Sequence, residues 1–310
     1  METGGAESKK VHSDKILVIK LDGLGDWVIF QFCLKEVLQN QPVQTIDLIA
    51  DIGVAEYVNW SNLPVRNCCF LRHRGGLRFK LWKFFRAFRR LSWIYPRGFS
   101  QHIVVKSYDL VVVSVWNKRQ LEFIRSQILP HITFKRLEVS IPDRYSAIRF
   151  RGESERLFLQ KAMDASIPKL AYVPIATSIN RVFIFARSYK KEKCWRLDLY
   201  QSLARRLSQL GYMIELWGGD GTSEFEHSGS LEQLIESLSK SDLYIGNDTG
   251  ILHIAIQLNK KVFVISNGRM PNSFLTYPPN GLPGISSHTG NIEDIQLDDV
   301  LICLQKMLYK

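Results

Sequence analysis

The chain has 310 residues, 45% hydrophobic and 23% charged, a globular composition with room for two α/β domains and unlike that of a disordered or collagen-like chain. No apolar run reaches the roughly 18 residues that a membrane span requires. The five cysteines, odd in number and without a C-x-x-C pair, offer neither a disulfide framework nor a zinc knuckle. A net charge of +11 points to an anionic partner: nucleic acid, a phosphorylated metabolite or a membrane surface.

The polar opening from Met1 to Lys15 carries no apolar stretch and reads as a flexible leader, with a reducing, cytoplasmic location expected. Ile16 to Ile19, a β-branched run bounded by lysines, is a strand; the turn Asp22-Gly23-Leu24-Gly25 and a helix from Asp26 to about Gln39 follow. Further strands are expected at Thr45–Ala50 and Leu110–Val115, the latter a continuous apolar run of the kind buried on both faces of a parallel sheet. A linker near 166–178, marked by Pro168 and Pro174, precedes a second alternating series.

That series begins with strand Arg181–Phe185 and helix Leu197–Leu210, where Asp198 and Gln201 are spaced as a capping box and Gly211 stops the helix. Strand Tyr212–Trp217 comes next, then a second capping box at Ser230–Gln233 opening a helix to about Lys240, and strand Asp242–Ile245. Helix Gly250–Leu258, strand Lys261–Ser266 and a last helix Leu297–Leu308 complete the set. Strict alternation builds parallel sheets by right-handed crossovers. The expected architecture is α/β, with two Rossmann-like domains over residues 1–170 and 171–310 and a cleft between them.

Three loops at strand ends carry candidate chemistry. Gly23-Leu24-Gly25-Asp26 opens a helix, whose outward amides favour an anion or a catalytic group. It partly matches a dinucleotide fingerprint, with Asp51 in the place of the ribose-binding acid, but Val28 stands where the third glycine belongs. This keeps an NAD-dependent dehydrogenase as an alternative; Asp26 as a plain first-turn acid complementing the helix dipole is the structural one.

The second loop, Gly246-Asn247-Asp248-Thr249-Gly250, ends a strand and opens a helix that Asp248 or Thr249 can cap, and Gly250 leaves the amides open to a phosphate. His253, one turn on, shares the face of Thr249 or else packs between domains. The third, Ala186 to Trp195, brings lysines that suit a leaving diphosphate.

Leu24-Gly25-Asp26 after the first strand, Lys193-x-Trp195, Gly218-Gly219, Gly229-Ser230-Leu231 and Gly246-Asn247-Asp248-Thr249-Gly250-x-x-His253 together resemble glycosyltransferase family 9, the lipopolysaccharide heptosyltransferases. The resemblance implies a GT-B fold, an acceptor on the N-terminal domain and a nucleotide-sugar on the C-terminal one. It maps the general base onto Asp26 and the diphosphate contact onto Lys193. Asp248, Thr249, Gly250 and His253 become the donor cradle, with Ser188 a phosphate contact and Asp220, in competition with Glu224, the ribose acid.

The implied activity is an inverting, metal-independent transfer of heptose or a related sugar, with ADP-heptose a candidate donor and a lipopolysaccharide-type or other anionic glycolipid the acceptor. No cofactor and no metal are expected, and no D-x-D motif occurs. The competing class is a non-catalytic nucleotide-sugar-binding relative. Ala186-Arg187-Ser188 and Asn267-Gly268-Arg269 depart from the family's usual turns.

Nine basic residues between Arg72 and Arg97, with no acid among them, hold most of the +11. On a helix, Leu77, Leu81, Phe84, Phe85, Phe88, Leu91 and Tyr95 gather on one face, opposite Arg78, Lys83, Arg86, Arg89 and Arg90. The pattern suits an anionic acceptor or a peripheral contact with the inner face of the cytoplasmic membrane, or else a surface helix packed on the core. No nucleic-acid motif accompanies it.

Overall fold

The computed structural model describes residues 15–39, 46–71, 107–115, 118–141, 151–165, 178–188, 190–268 and 282–308. The expected domain boundary at 170/171, almost all of the 166–178 linker and the whole basic stretch, with Arg78, Lys83, Arg86, Arg89 and Arg90, lie outside the described residues. The chain alternates strands and helices through two parallel sheets.

In the first sheet β1 (Ile16–Lys20), β2 (Ile46–Asp51), β3 (Val65–Leu71), β4 (Ser107–Ser114) and β5 (Thr133–Ser140) lie in the order β3-β2-β1-β4-β5. Its helices are α1 (Leu24–Gln39), α2 (Ala55–Trp60), α3 (Lys118–Gln127) and α4 (Arg151–Met163). The second sheet contains β6 (Arg181–Phe185), β7 (Met213–Trp217), β8 (Glu226–His227), β9 (Leu243–Asn247), β10 (Lys261–Ser266) and β11 (Gly284–Ser286), ordered β11-β10-β9-β6-β7-β8. With it go α5 (Leu197–Gln209), α6 (Leu231–Lys240), α7 (Gly250–Gln257) and α8 (Leu297–Leu308). Both orders are doubly wound, so each sheet reverses beside its first strand and opens a crevice at the strand C-termini.

Side chains alternate across each strand, and the two faces separate cleanly. Ile16, Val18, Ile46, Leu48, Leu110 and Val112 pack on one side with α1; Leu17, Ile19, Ile49, Val111 and Val113 pack on the other with Leu121 and Ile124 of α3. The second sheet divides likewise. Val182, Ile184, Leu243, Ile245, Phe263 and Ile265 meet α5 and α8, whereas Phe183, Tyr244, Val262 and Val264 face the first domain. One apolar core therefore runs from α1 through α7 and joins the two domains.

Two local expectations need correction. Asp198 does not cap α5: the helix begins after Arg196 with no side-chain cap bond, and Asp198 instead pairs with Arg196, whose Nε lies 3.1 Å from Oδ1. Lys20, read as a flank of the first strand, is its last residue and fully buried. The second capping box forms as expected, Gln233 N donating to Ser230 Oγ at 3.2 Å while the Gln233 side chain accepts from Ser230 N at 2.9 Å. Gly211 ends α5 with φ of 92°, a left-handed value natural to glycine.

Candidate active site

Asp26 sits half-buried in the first turn of α1, directly beyond β1 and beside the reversal point of the first sheet. The helix starts two residues earlier than its apolar pattern suggested, at Leu24, because Trp27 N already bonds Gly23 O at 2.9 Å and the Trp27 ring is fully buried. A carboxylate in a first turn is favoured by the helix dipole.

The second loop follows β9. Asn247, fully buried, accepts from Tyr200 Oη at 2.8 Å and from Trp195 N at 3.2 Å. Burial pushes the Tyr200 phenol well above its ordinary value, with Tyr244 and Cys194 adding to the effect, so it remains a donor. Trp195 is also buried: its Nε1 donates to Ile295 O at 2.8 Å and its ring meets Tyr200 edge-on at 4.9 Å. Trp195 thus moors the Ala186–Trp195 loop to the end of β9. This brings Lys193, in a short 3-10 turn, into an ion pair with Asp248. Asn267 holds the same turn from β10, its Nδ2 donating to Glu192 O at 3.0 Å. The Asn267 departure therefore supports the lysine loop.

Thr249 occupies the N-cap position of α7 but makes no side-chain cap bond. The missing β-carbon of Gly250 leaves space that the first turn of α1 occupies: a β-carbon there would stand 2.9 Å from Leu24 Cγ and 3.0 Å from Gly25 N. Conversely, a β-carbon on Gly25 would lie 3.0 Å from Cδ2 of His253. The histidine packs between the domains, 9% exposed, against the residue preceding Asp26. The positive ends of two helices consequently converge with Lys193 close by, an arrangement that favours an anion. The same convergence places a carboxylate beside it.

Further contacts fasten this face. Tyr57 of α2 donates through its hydroxyl to Gln257 of α7, and Glu56 Oε2 accepts from Leu231 N at the start of α6 at 2.8 Å.

Two other expected donor contacts stand apart from this cluster in their own bonding. Ser188 Oγ accepts from Lys190 N at 3.4 Å, within its own loop. Asp220 is exposed and accepts from Thr222 Oγ1 at 2.6 Å, a bond that holds its carboxyl below the usual range. A further carboxylate, Glu226, also lies at the glycine pair. It accepts from Gln201 Nε2 at 3.0 Å and from Gly221 N, and it fills the space a β-carbon on Gly219 would need. The two-residue strand that carries it was too short to read from periodicity.

Among the described residues no group of three or more His, Cys, Asp or Glu is placed to hold a metal ion, and no helix is long and apolar enough to cross a membrane. Residues 153–266 match a family model described as Glycosyltransferase family 9 (heptosyltransferase). No curated protein matches the chain. Among solved structures, Escherichia coli heptosyltransferase WaaC with ADP-2-deoxy-2-fluoro heptose superposes with a TM-score of 0.71 at 14% identity, covering 94% of this chain and 99% of the other.

E. coli ADP-heptose lps heptosyltransferase II gives 0.61 at 19% identity, with 95% and 98% covered. A Veillonella parvula glycosyl transferase family 9 structure gives 0.66 at 14%, with 97% and 98% covered. The fold is GT-B, and the chain's resemblance to glycosyltransferase family 9, with the glycosyltransferase class it carries, rests on both its motifs and the match over residues 153–266.

Proposed function

We propose that this protein is an inverting, metal-independent glycosyltransferase that moves a sugar from a nucleoside diphosphate donor, ADP-heptose first among candidates, to an anionic glycolipid or saccharide. The observation that carries the reading is the seating of the two loops against each other, Gly25 on His253 and Gly250 on Leu24. It sets the acid of one domain beside the anion-favouring helix end of the other. Support for ADP-heptose comes from the structurally similar E. coli heptosyltransferase WaaC, solved with ADP-2-deoxy-2-fluoro heptose and with ADP.

In this mechanism Asp26 accepts the proton of the acceptor hydroxyl as that oxygen attacks the anomeric carbon. The bond from that carbon to the diphosphate oxygen breaks on the opposite face, which inverts the centre. Negative charge then grows on the diphosphate. Lys193, turning from Asp248 to the phosphates, and the amide end of α7 stabilise it. His253 lines the junction between the two reactants.

The dinucleotide alternative fares worse on sequence and packing. Its fingerprint needs a third glycine for close helix–strand packing, and that place is held by the buried Val28.

Thermal-shift titration with ADP, GDP, UDP and NAD tests the class, since a ligand that binds only the folded state raises its stability. Stabilisation by ADP, followed by sugar transfer or slow donor hydrolysis with ADP-heptose, is the expected result. Stabilisation by NAD alone overturns the proposal, and ADP-heptose binding without any turnover reduces the protein to a non-catalytic binder. The acceptor is assigned to the N-terminal domain and its basic stretch, and flotation with anionic liposomes tests the membrane contact there. Association insensitive to salt, or none, removes the membrane from the proposal.

A further inference from the structure

Lys20 ends β1 wholly buried, on the same face as Ile16 and Val18, where an apolar side chain would continue the pattern. Its Nζ lies 2.8 Å from Ser114 Oγ, 2.7 Å from Glu155 Oε1 and 2.9 Å from Asp22 Oδ2, and 5.0 Å from the centre of the Phe30 ring. Glu155, also fully buried, accepts from Ser114 Oγ at 2.9 Å with each of its oxygens. Asp22 is 4% exposed; its Oδ1 accepts from Gln120 Nε2 at 3.1 Å, and the same nitrogen donates to Leu21 O at 3.0 Å.

Removing such charges from water costs several kcal/mol per ion, and well-packed apolar groups often stabilise a fold as well or better. Fold stability alone therefore gives weak grounds for an ammonium here. Its location supplies a stronger one. Lys20 and Ser114 are register partners at the C-terminal ends of β1 and β4, the strands flanking the reversal point. The cluster thus gathers β1, β4, α3 and α4 behind a single turn.

That turn is held at both ends. Asp22 is fixed by Lys20 and Gln120, and Gly23 O closes onto N of the buried Trp27. Asp26 lies between these two anchors. A carboxylate that must meet an acceptor hydroxyl needs its backbone fixed to a fraction of an ångström.

We propose that Lys20, braced by Glu155 and Ser114, is a positioning residue for the base: through Asp22 it fixes the turn that presents Asp26. The inference rests on the reading of Asp26 as the base. Lys20 touches no substrate and acts only through the turn.

Steady-state kinetics and ADP-binding titrations on Lys20→Met, Lys20→Arg and Ser114→Ala, each normalised to its folded fraction, test this. Lys20→Met is expected to lower kcat by at least about tenfold while its dissociation constant for ADP changes less than about twofold. Lys20→Arg, which keeps the charge, recovers much of that loss, and Ser114→Ala falls between. Wild-type kcat in Lys20→Met overturns the proposal, as does a loss of turnover matched by an equal loss of ADP binding.

Should Lys20→Met fail to fold, Ser114→Ala decides, because it removes only one uncharged partner; full turnover in that variant counts against positioning. Asp26→Asn run alongside separates the two ideas. If it retains turnover, the base assignment falls. If it is inactive while Lys20→Met is normal, only the positioning role falls.

Discussion

The imidazole of His253 lies against Gly25, with Cδ2 3.0 Å from the point where a β-carbon on that glycine would stand. The contact joins residues from different domains and sits one position from the carboxylate proposed as base. Gly25→Ala should therefore displace the ring or part α1 from α7. An expected fall of about 10- to 100-fold in kcat/KM, with a stability loss of about 1–3 kcal/mol from overpacking, is checked by kinetics and denaturant unfolding. Unchanged kinetics would mean that the fit between the two loops does not matter to catalysis.

Asp26→Asn keeps the size of the side chain and removes its basicity. Turnover should drop by about 10²–10⁴, with ADP affinity retained in calorimetry. An Asn variant turning over at the normal rate would show that the proton goes elsewhere.

Lys193 pairs with Asp248, and the two side chains are 34% and 17% exposed. Lys193→Ala should reduce kcat/KM for the donor by about 10²-fold, the scale of losing one charge-stabilising group. Asp248→Asn should instead leave the lysine free for the diphosphate and weaken donor binding far less. Equal losses in the two variants would argue that the pair works as a unit.

At the other end of the first sheet, Asp47 is 2% exposed yet ionised. Burial pushes its carboxyl up, but bonds from Arg66 Nε at 3.0 Å, Asn67 Nδ2 at 2.7 Å and Tyr108 Oη at 2.8 Å outweigh burial and hold it below the usual carboxylate range. A depressed value in the folded state means that the stabilisation is complete above the unfolded value and is lost as pH falls through the folded one. Tyr108→Phe should cost about 1 kcal/mol near neutrality and move the acid-unfolding midpoint to higher pH. Circular dichroism between pH 2 and 6 reads this directly; an unmoved midpoint would remove Asp47 from acid resistance.

The two Rossmann-like domains were legible because seven of their strands are short apolar runs set beside helices with apolar stripes, whereas β3, β5, β8 and β11 and helices α2, α3 and α4 went unread. The loops were legible because Leu24-Gly25-Asp26 and Asn247-Asp248-Thr249-Gly250 stand at strand ends. Three features around the site were not. Lys20 looked like a polar flank, although counting by twos from Ile16 places it on the core face; its partner Glu155 lies 135 residues away. Glu226 was hidden in a strand of two residues. The meeting of the domains depends on pairs such as Tyr57 and Gln257, separated by 200 positions, and no local periodicity encodes them.

Leu24 on Gly250, His253 on Gly25 and Tyr57 on Gln257 have a practical consequence for anyone recombining such domains. Exchanging the C-terminal half for that of a relative with another donor preference is not a matter of choosing a crossover in the connecting segment. The incoming half must bring a flat glycine and a ring of the right reach to meet the resident first turn. A chimaera that ignores this pairing would keep Asp26 and Lys193 and hold them out of register.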